Sequence, residues 1–216
     1  MLEKMSDFFE KRLSGYDQHM MTEIESSTEF YPFTASLLPK EENSHILDLG
    51  CGTGLELEEY FLLCPSAKIT GIDLSQGMLS ALEKKFTDKE ISLICGSYFD
   101  VPFDENTYNA AVSVESLHHF TKAEKIPLYT KLHTALNENG YFILTDYFAF
   151  SDEEEQMHRQ NLLALKAEQG ITDDTFYHYD TPLTVQHETE ALLEAGFSSV
   201  TVLKHWGATY TLKAMK

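Results

Sequence analysis

The sequence predicts a three-layer α/β sandwich: a mainly parallel sheet with helices on both faces, finished by an antiparallel hairpin. Three observations carry that prediction. Hydrophobic periodicity alternates between short runs rich in Ile, Leu, Val, Tyr and Phe and stretches of helical spacing. A glycine-rich turn, Gly50-Cys51-Gly52-Thr53-Gly54, joins the first such run to the helical stretch that follows. The last two runs meet at Gly207, a connection too short for anything but an antiparallel pair. Strands alternating with helices of this length build right-handed βαβ units, hence the parallel sheet.

Residues 1–40 carry helical patterns broken at Gly15-Tyr16-Asp17 and ended by Pro39. Strands are expected at 45–49, 67–73, 91–95, 108–114 and 140–148, and the helices between them at 55–63, 75–86 and 122–137. Ser75 is placed to cap the second of these helices, and Thr121 with Glu124 forms a capping-box signature for the third. Residues 149–183 read as an insertion. Its helix starts at Ser151 with Glu154 and stops at Gly170, before a Tyr- and His-rich loop. A last helix at 185–195, opened by Thr184 and closed by Gly196, leads into strands 197–206 and 208–214. The expected organisation is one domain over residues 1–216: an N-terminal helical cap (1–40), a cofactor-binding core (41–148), an inserted lid (149–183) and a C-terminal helix with hairpin (184–216). Ligands of parallel sheets bind beyond the carboxyl ends of the strands, so cap and insertion are placed to cover the site.

Charge narrows the partners. With 35 Asp and Glu against 16 Lys and Arg, the formal net charge is −19. The one basic concentration, Lys84-Lys85 with Lys89, lies among Glu83, Asp88 and Glu90, so a nucleic-acid substrate is disfavoured. A cationic ligand is well suited to such a field. No apolar run approaches the ~20 residues of a membrane span. Met1–Arg12 is mixed in charge, unlike a signal peptide. Cys51, Cys64 and Cys95 make no even disulfide set and lack metal-ligand spacing, so a cytoplasmic location and no metal are expected. Oligomeric state is not legible.

The glycine turn excludes one ligand class and favours another. A dinucleotide turn has the pattern G-x-G-x-x-G, whose third glycine falls at position 55, and that residue is Leu55. Asp48, just before the turn, would repel a pyrophosphate but suits a ligand with an amine. S-adenosylmethionine has such an amine, a sulfonium cation and no phosphate.

Leu47–Leu55 resembles the first motif of the class I S-adenosylmethionine-dependent methyltransferases, hxDxGxGxG. The resemblance is strong from His45 to Asp146 and looser over Tyr16–Pro39 and Thr181–Lys213. It implies seven strands with one reversed, and S-adenosylmethionine held by Asp48, Gly50, Cys51, Gly52 and Gly54. Asp73, 19 residues after Gly54, corresponds to the acid that binds ribose. Leu74 and Met78 follow where apolar side chains flank adenine. Ser97 stands where relatives often have an acid for the adenine amine, a departure that Tyr98 offsets by stacking. Val114 and Glu115 correspond to positions beside the methionine part, and Tyr16 to an N-terminal tyrosine that approaches the cofactor. His118 and His119 are general-base candidates, against the reading that each bonds a neighbouring loop.

The resemblance stops before the acceptor. In the insertion, Arg159, Tyr177, His178 and Tyr179 are candidate substrate contacts, and Arg159 is the only arginine besides Arg12. Three readings stay open: a methyltransferase acting on a small-molecule acceptor by in-line transfer, an enzyme that modifies the cofactor itself as carboxy-S-adenosylmethionine synthases do, and a non-catalytic cofactor-binding regulator.

Overall fold

The computed structural model describes residues 1–173 and 175–216, so Asp174 of the insertion lies outside the described residues. Its strands are β1 (His45–Leu49), β2 (Lys68–Asp73), β3 (Glu90–Cys95), β4 (Tyr108–Val114), β5 (Leu136–Tyr147), β6 (Ser199–Trp206) and β7 (Thr209–Met215). They form a seven-stranded sheet in the order β3-β2-β1-β4-β5-β7-β6. All pairs from β3 to β5 are parallel, and β7 runs antiparallel to both β5 and β6. The expected sandwich is therefore present, with one reversed strand. The final strand, rather than the one before it, lies inside. β7 alternates between buried and half-buried positions, whereas β6 is exposed along most of its length.

Burial on both faces explains why the central strands read as continuous apolar runs. In β1, Ile46 packs against one face of the sheet, while Leu47 and Leu49 pack against the other. The first face is covered by α3 (Ser27–Ser36), α4 (Leu55–Leu63) and α5 (Gln76–Lys85), the second by α6 (Lys122–Ala135) and α8 (Val185–Glu194). Fully buried side chains such as Phe30, Leu57, Tyr129 and Phe142 each contribute roughly 1.5–3 kcal/mol of apolar transfer.

Sequence and structure differ at β5. It begins at Leu136, four residues before the expected start. α6 stops after Ala135, Leu136 turns extended (φ −68°, ψ 148°), and a register shift follows before regular pairing with β4. The caps appear as read. The Ser75, Ser151 and Thr184 hydroxyls accept from backbone N–H groups three residues on, and Thr121 with Glu124 forms the complete capping box. Thr121→Ala is expected to cost about 0.5–2 kcal/mol of stability, measured by urea denaturation.

The N-terminal segment forms α1 (Met5–Arg12) and α2 (Tyr16–Glu23) before α3, with breaks at Gly15 (φ +96°) and Ser26 (φ +62°). The insertion contributes α7 (Asp152–Glu168), and its following loop bridges back to the N-terminus: Tyr177 pairs with Lys4, and the His178 N–H donates to Glu3 O at 3.0 Å. Cap and insertion are thus clasped together. No helix among the described residues is long and apolar enough to cross a membrane.

Candidate active site

Strand order reverses at β1, whose neighbours are β2 on one side and β4 on the other. Ligand crevices form at such a switch point, beyond the carboxyl ends of the strands. The turn after β1 and the segment after β4 meet there. Between them lies a narrow cavity of about 50 Å³, roofed by Met5 and Phe9 of α1 and by Tyr16 of α2. It shares the walls Phe9, Tyr16, Glu115 and His119 with a cleft of about 760 Å³.

The turn is shaped for close approach. The Gly50 and Cys51 N–H groups donate to Ile72 O at 2.8 and 3.2 Å, which folds the turn back across β2. Gly50 has φ +75°, and a Cβ there would lie 2.1 Å from Ser116 Oγ. Gly50→Ala combines that clash with left-handed strain of about 1–2 kcal/mol. Cofactor affinity is expected to fall at least tenfold by calorimetry, with a lowered melting temperature.

Asp73 stands at the end of β2 with its carboxylate in the cavity wall. Oδ2 accepts from Gly52 N at 3.0 Å and Oδ1 from Ser75 N at 2.8 Å. Burial raises its pKa, and those two N–H groups oppose the rise. Two carboxylate oxygens offer about four acceptor positions, so each keeps one for a ligand diol.

Other expected cofactor residues fall into two groups. Gly50, Gly52, Leu74, Met78, Tyr98, Val114 and Glu115 line the cavity, as does Tyr16. Asp48, Cys51, Gly54 and Ser97 are not among the residues that line it. Alternation along β1 turns Asp48 to the α4 face, where it is 1% exposed beside Glu56. Burial, then the Glu56 charge, holds the Asp48 carboxyl well above the usual range, and Asp48 Oδ2 and Glu56 Oε1 have no hydrogen-bond partner. Cys51 Sγ packs toward Gly71 of β2, Gly54 starts α4 against Phe86 and Leu82, and Ser97 Oγ accepts from Phe99 N at 3.2 Å to hold its own turn. Sequence reasoning missed Met5, Phe9 and Ser116. Helical spacing in the first twelve residues was the only available signal for the first two.

The junction of cavity and cleft carries the titratable groups. Glu115 follows β4 in a left-handed conformation (φ +49°), unusual for a side-chain-bearing residue and a mark of a functional position. Burial, then the Asp146 charge, pushes its carboxyl up to about 8. His118 Nδ1 lies 2.5 Å from Asp146 Oδ1, at the end of β5, and that carboxylate also accepts from Leu117 N and Tyr147 N. Burial lowers the basicity of His118, but Asp146 and Asp180 outweigh it and hold the ring well above its ordinary value. His119 is lowered by burial and by its charged neighbour. Its Nδ1 is 3.2 Å from Tyr179 O, yet the ring also lines the cavity.

The substrate candidates divide too. His178 lines the cleft, stacked on Phe8 at 3.4 Å between centroids. Arg159 and Tyr177 instead line a third pocket, which shares His119 with the cavity and the cleft, and Arg159 pairs with Glu155 at 3.3 Å, one helical turn away. Tyr179 meets the site only through its carbonyl. The arginine in the cleft wall is Arg12, which stacks over Phe8 and bonds Glu3.

A methyltransferase-domain family profile matches residues 46–140. A putative O-methyltransferase of Nostoc punctiforme superposes with a TM-score of 0.72 at 21% identity, over 99% of this chain and 62% of its own. A DhpI–SAM–HEP complex superposes with a TM-score of 0.71 at 16% identity, over 97% of this chain and 94% of its own. Residues 46–140 thus match a methyltransferase domain, and the fold of the whole chain is that of the solved methyltransferase structures. A carboxy-S-adenosyl-L-methionine synthase of Wolinella succinogenes is 26% identical, over 99% of this chain and 92% of that protein. Against others this chain is shorter: it spans 34% of an Arabidopsis thaliana 24-methylenesterol C-methyltransferase and 56% of a Symbiobacterium thermophilum demethylmenaquinone methyltransferase. S-adenosylmethionine is the cofactor of this family, and the observed donor set fits it. Gly50 leaves room where any Cβ would collide, and Asp73 keeps acceptor positions aimed into the cavity.

Proposed function

We propose that this chain transfers a methyl group from S-adenosylmethionine to a small-molecule acceptor by in-line displacement. One observation carries the reading: the cavity beside Gly50 and Asp73 shares the walls Phe9, Tyr16, Glu115 and His119 with a second, larger cleft. Its volume of about 760 Å³ falls in the roughly 300–1,000 Å³ range of small-ligand sites. When bound, the cofactor supplies a methyl group on a sulfonium cation. In this reading Asp73 accepts from the ribose hydroxyls, Leu74, Met78 and Tyr98 enclose the adenine, and Gly50 and Gly52 present backbone to the ligand. The ring of Tyr16 and the carboxyl of Glu115 face positive charge. A cation beside Glu115 favours its ionised form and opposes the effect of burial.

The protein's part in the chemistry is to hold and align the acceptor in the cleft and keep water out, worth up to ~7–11 kcal/mol for well-oriented reactants. His119, kept neutral by burial, is the side chain suited to take a proton from the acceptor. The roof over the narrow cavity has to draw back to admit the cofactor, so residues 1–40 and 149–183 act together as a lid. Limited proteolysis should slow in both segments when cofactor is added, and equal cleavage with and without it defeats the lid.

A second reading, modification of the cofactor itself, is favoured by the full-length match to carboxy-S-adenosyl-L-methionine synthases. Against it, the chain holds only two arginines, and neither lines the cofactor cavity. Calorimetry with S-adenosylmethionine followed by a labelled-methyl assay on metabolite extracts separates these readings. Stoichiometric binding and label on a small molecule is the expected result. A carboxylated cofactor recovered by mass spectrometry supports the second reading instead. Binding without transfer to any extract leaves a regulator.

A further inference from the structure

Three side chains at the junction are arranged in a way that methyl transfer alone does not require. His118 Nε2 lies 3.5 Å from Asp180 Oδ1, and His119 Nδ1 lies 3.2 Å from the same oxygen. All three atoms fall within 4.8 Å of one another. A tetrahedral ion with bonds of about 2.0–2.1 Å sets neighbouring ligand atoms roughly 3.4 Å apart, close to the two distances to Asp180. The set is also buttressed. Asp146 engages His118 Nδ1 at 2.5 Å and is itself fixed by the Leu117 and Tyr147 N–H groups, which turns Nε2 toward Asp180. A carboxylate behind the far ring nitrogen is the support that metal-bound histidines have. The backbone also holds the far partner in place, since Thr181 N donates to His118 O at 2.9 Å and keeps Asp180 beside the histidine pair.

We propose that His118, His119 and Asp180 bind a divalent transition-metal ion where the acceptor cleft meets the cofactor cavity. Two imidazoles and one carboxylate suit zinc, iron(II) or cobalt(II). Three protein ligands leave coordination positions open, and His118, His119 and Asp180 all line the cleft. One extension rests on the methyl-transfer reading: the acceptor carries two adjacent oxygens, as in a vicinal diol or an enolised keto acid, and chelates the ion through those positions. With His119 on the ion, the metal takes the place of a free imidazole in preparing the acceptor: it lowers the pKa of a bound hydroxyl.

The test uses the full chain, stripped with a chelator and titrated with zinc(II) by calorimetry and with cobalt(II) by visible absorption. One equivalent of zinc and strong cobalt d–d bands are expected. Asp180→Asn should weaken binding at least tenfold and Asp146→Asn by roughly 10–100-fold, whereas Arg159→Ala should leave it unchanged. No zinc heat and no cobalt bands in the unsubstituted protein overturn the proposal, as does equal affinity in the Asp180 variant. Because these readouts need no turnover, calorimetry with S-adenosylmethionine on the same preparation separates failure of the metal site from failure of the donor reading. With cobalt loaded, nitrocatechol should shift the visible spectrum. An unchanged spectrum rejects the chelating acceptor.

Discussion

Asp73→Ala is expected to weaken S-adenosylmethionine binding by about 10²–10⁴-fold in calorimetry. Each hydrogen bond from a ribose hydroxyl to a charged acceptor is worth roughly 1.5–3 kcal/mol, and the carboxylate has one free position on each oxygen. The same substitution removes the acceptors for Gly52 N and Ser75 N, so the glycine turn also loosens. Asp73→Asn separates the two effects. It retains one oxygen and the shape of the side chain, and should give an intermediate loss with a nearly unchanged melting temperature. A change below tenfold in a folded Asp73→Ala protein would remove Asp73 from the binding site.

Lys125→Met is expected to destabilise the fold by about 3–5 kcal/mol, the cost of leaving a buried charge without its partner. Lys125 is 2% exposed and Glu188 is fully buried, and they meet at 2.5 Å between α6 and α8. The Tyr129 hydroxyl donates to the other oxygen of Glu188, so each member of the group is satisfied. For a chain of this size each kcal/mol lowers the melting temperature by about 2–4 °C, which predicts a fall of roughly 6–20 °C. The double variant Lys125→Met with Glu188→Leu should recover much of that loss, because no ion is then left unpaired. Urea denaturation of the two variants decides the matter: a double variant no more stable than Lys125→Met shows that packing, not the orphaned charge, sets the cost.

How much was legible follows from the range of each interaction. Helix starts at Ser75, Thr121, Ser151 and Thr184 rest on bonds between residues three apart, so the local sequence carries the whole signal. The turn from Gly50 to Gly54 and the acid at Asp73 were legible for the same reason, since close approach to a ligand permits few residue types. The placement of Asp48 was not legible, because a sequence pattern does not say which face of β1 a side chain takes. Leu47 and Leu49 claim the α6 and α8 face, and Asp48 is left to the other. Nor was that of Arg159, because rarity is not placement. Its partner Glu155 lies one turn away on the same helix, outside the cleft.

By itself, then, the sequence determined the layered α/β fold, the glycine turn, the acid that follows it and the cofactor class. Each depends on patterns spanning a few residues or one strand–turn–helix unit. Only the tertiary structure decided that β7 lies inside β6, that α1 roofs the cofactor cavity with Met5 and Phe9, and that Lys125 and Glu188 share a buried bond. It alone joined His118 and His119 to Asp146 and Asp180, residues up to 62 positions apart. Cysteine spacing predicted no metal, and the third proposed ligand arrives on a separate loop that local spacing does not reach. Contacts of that kind depend on how distant elements pack, and local sequence patterns do not encode their geometry.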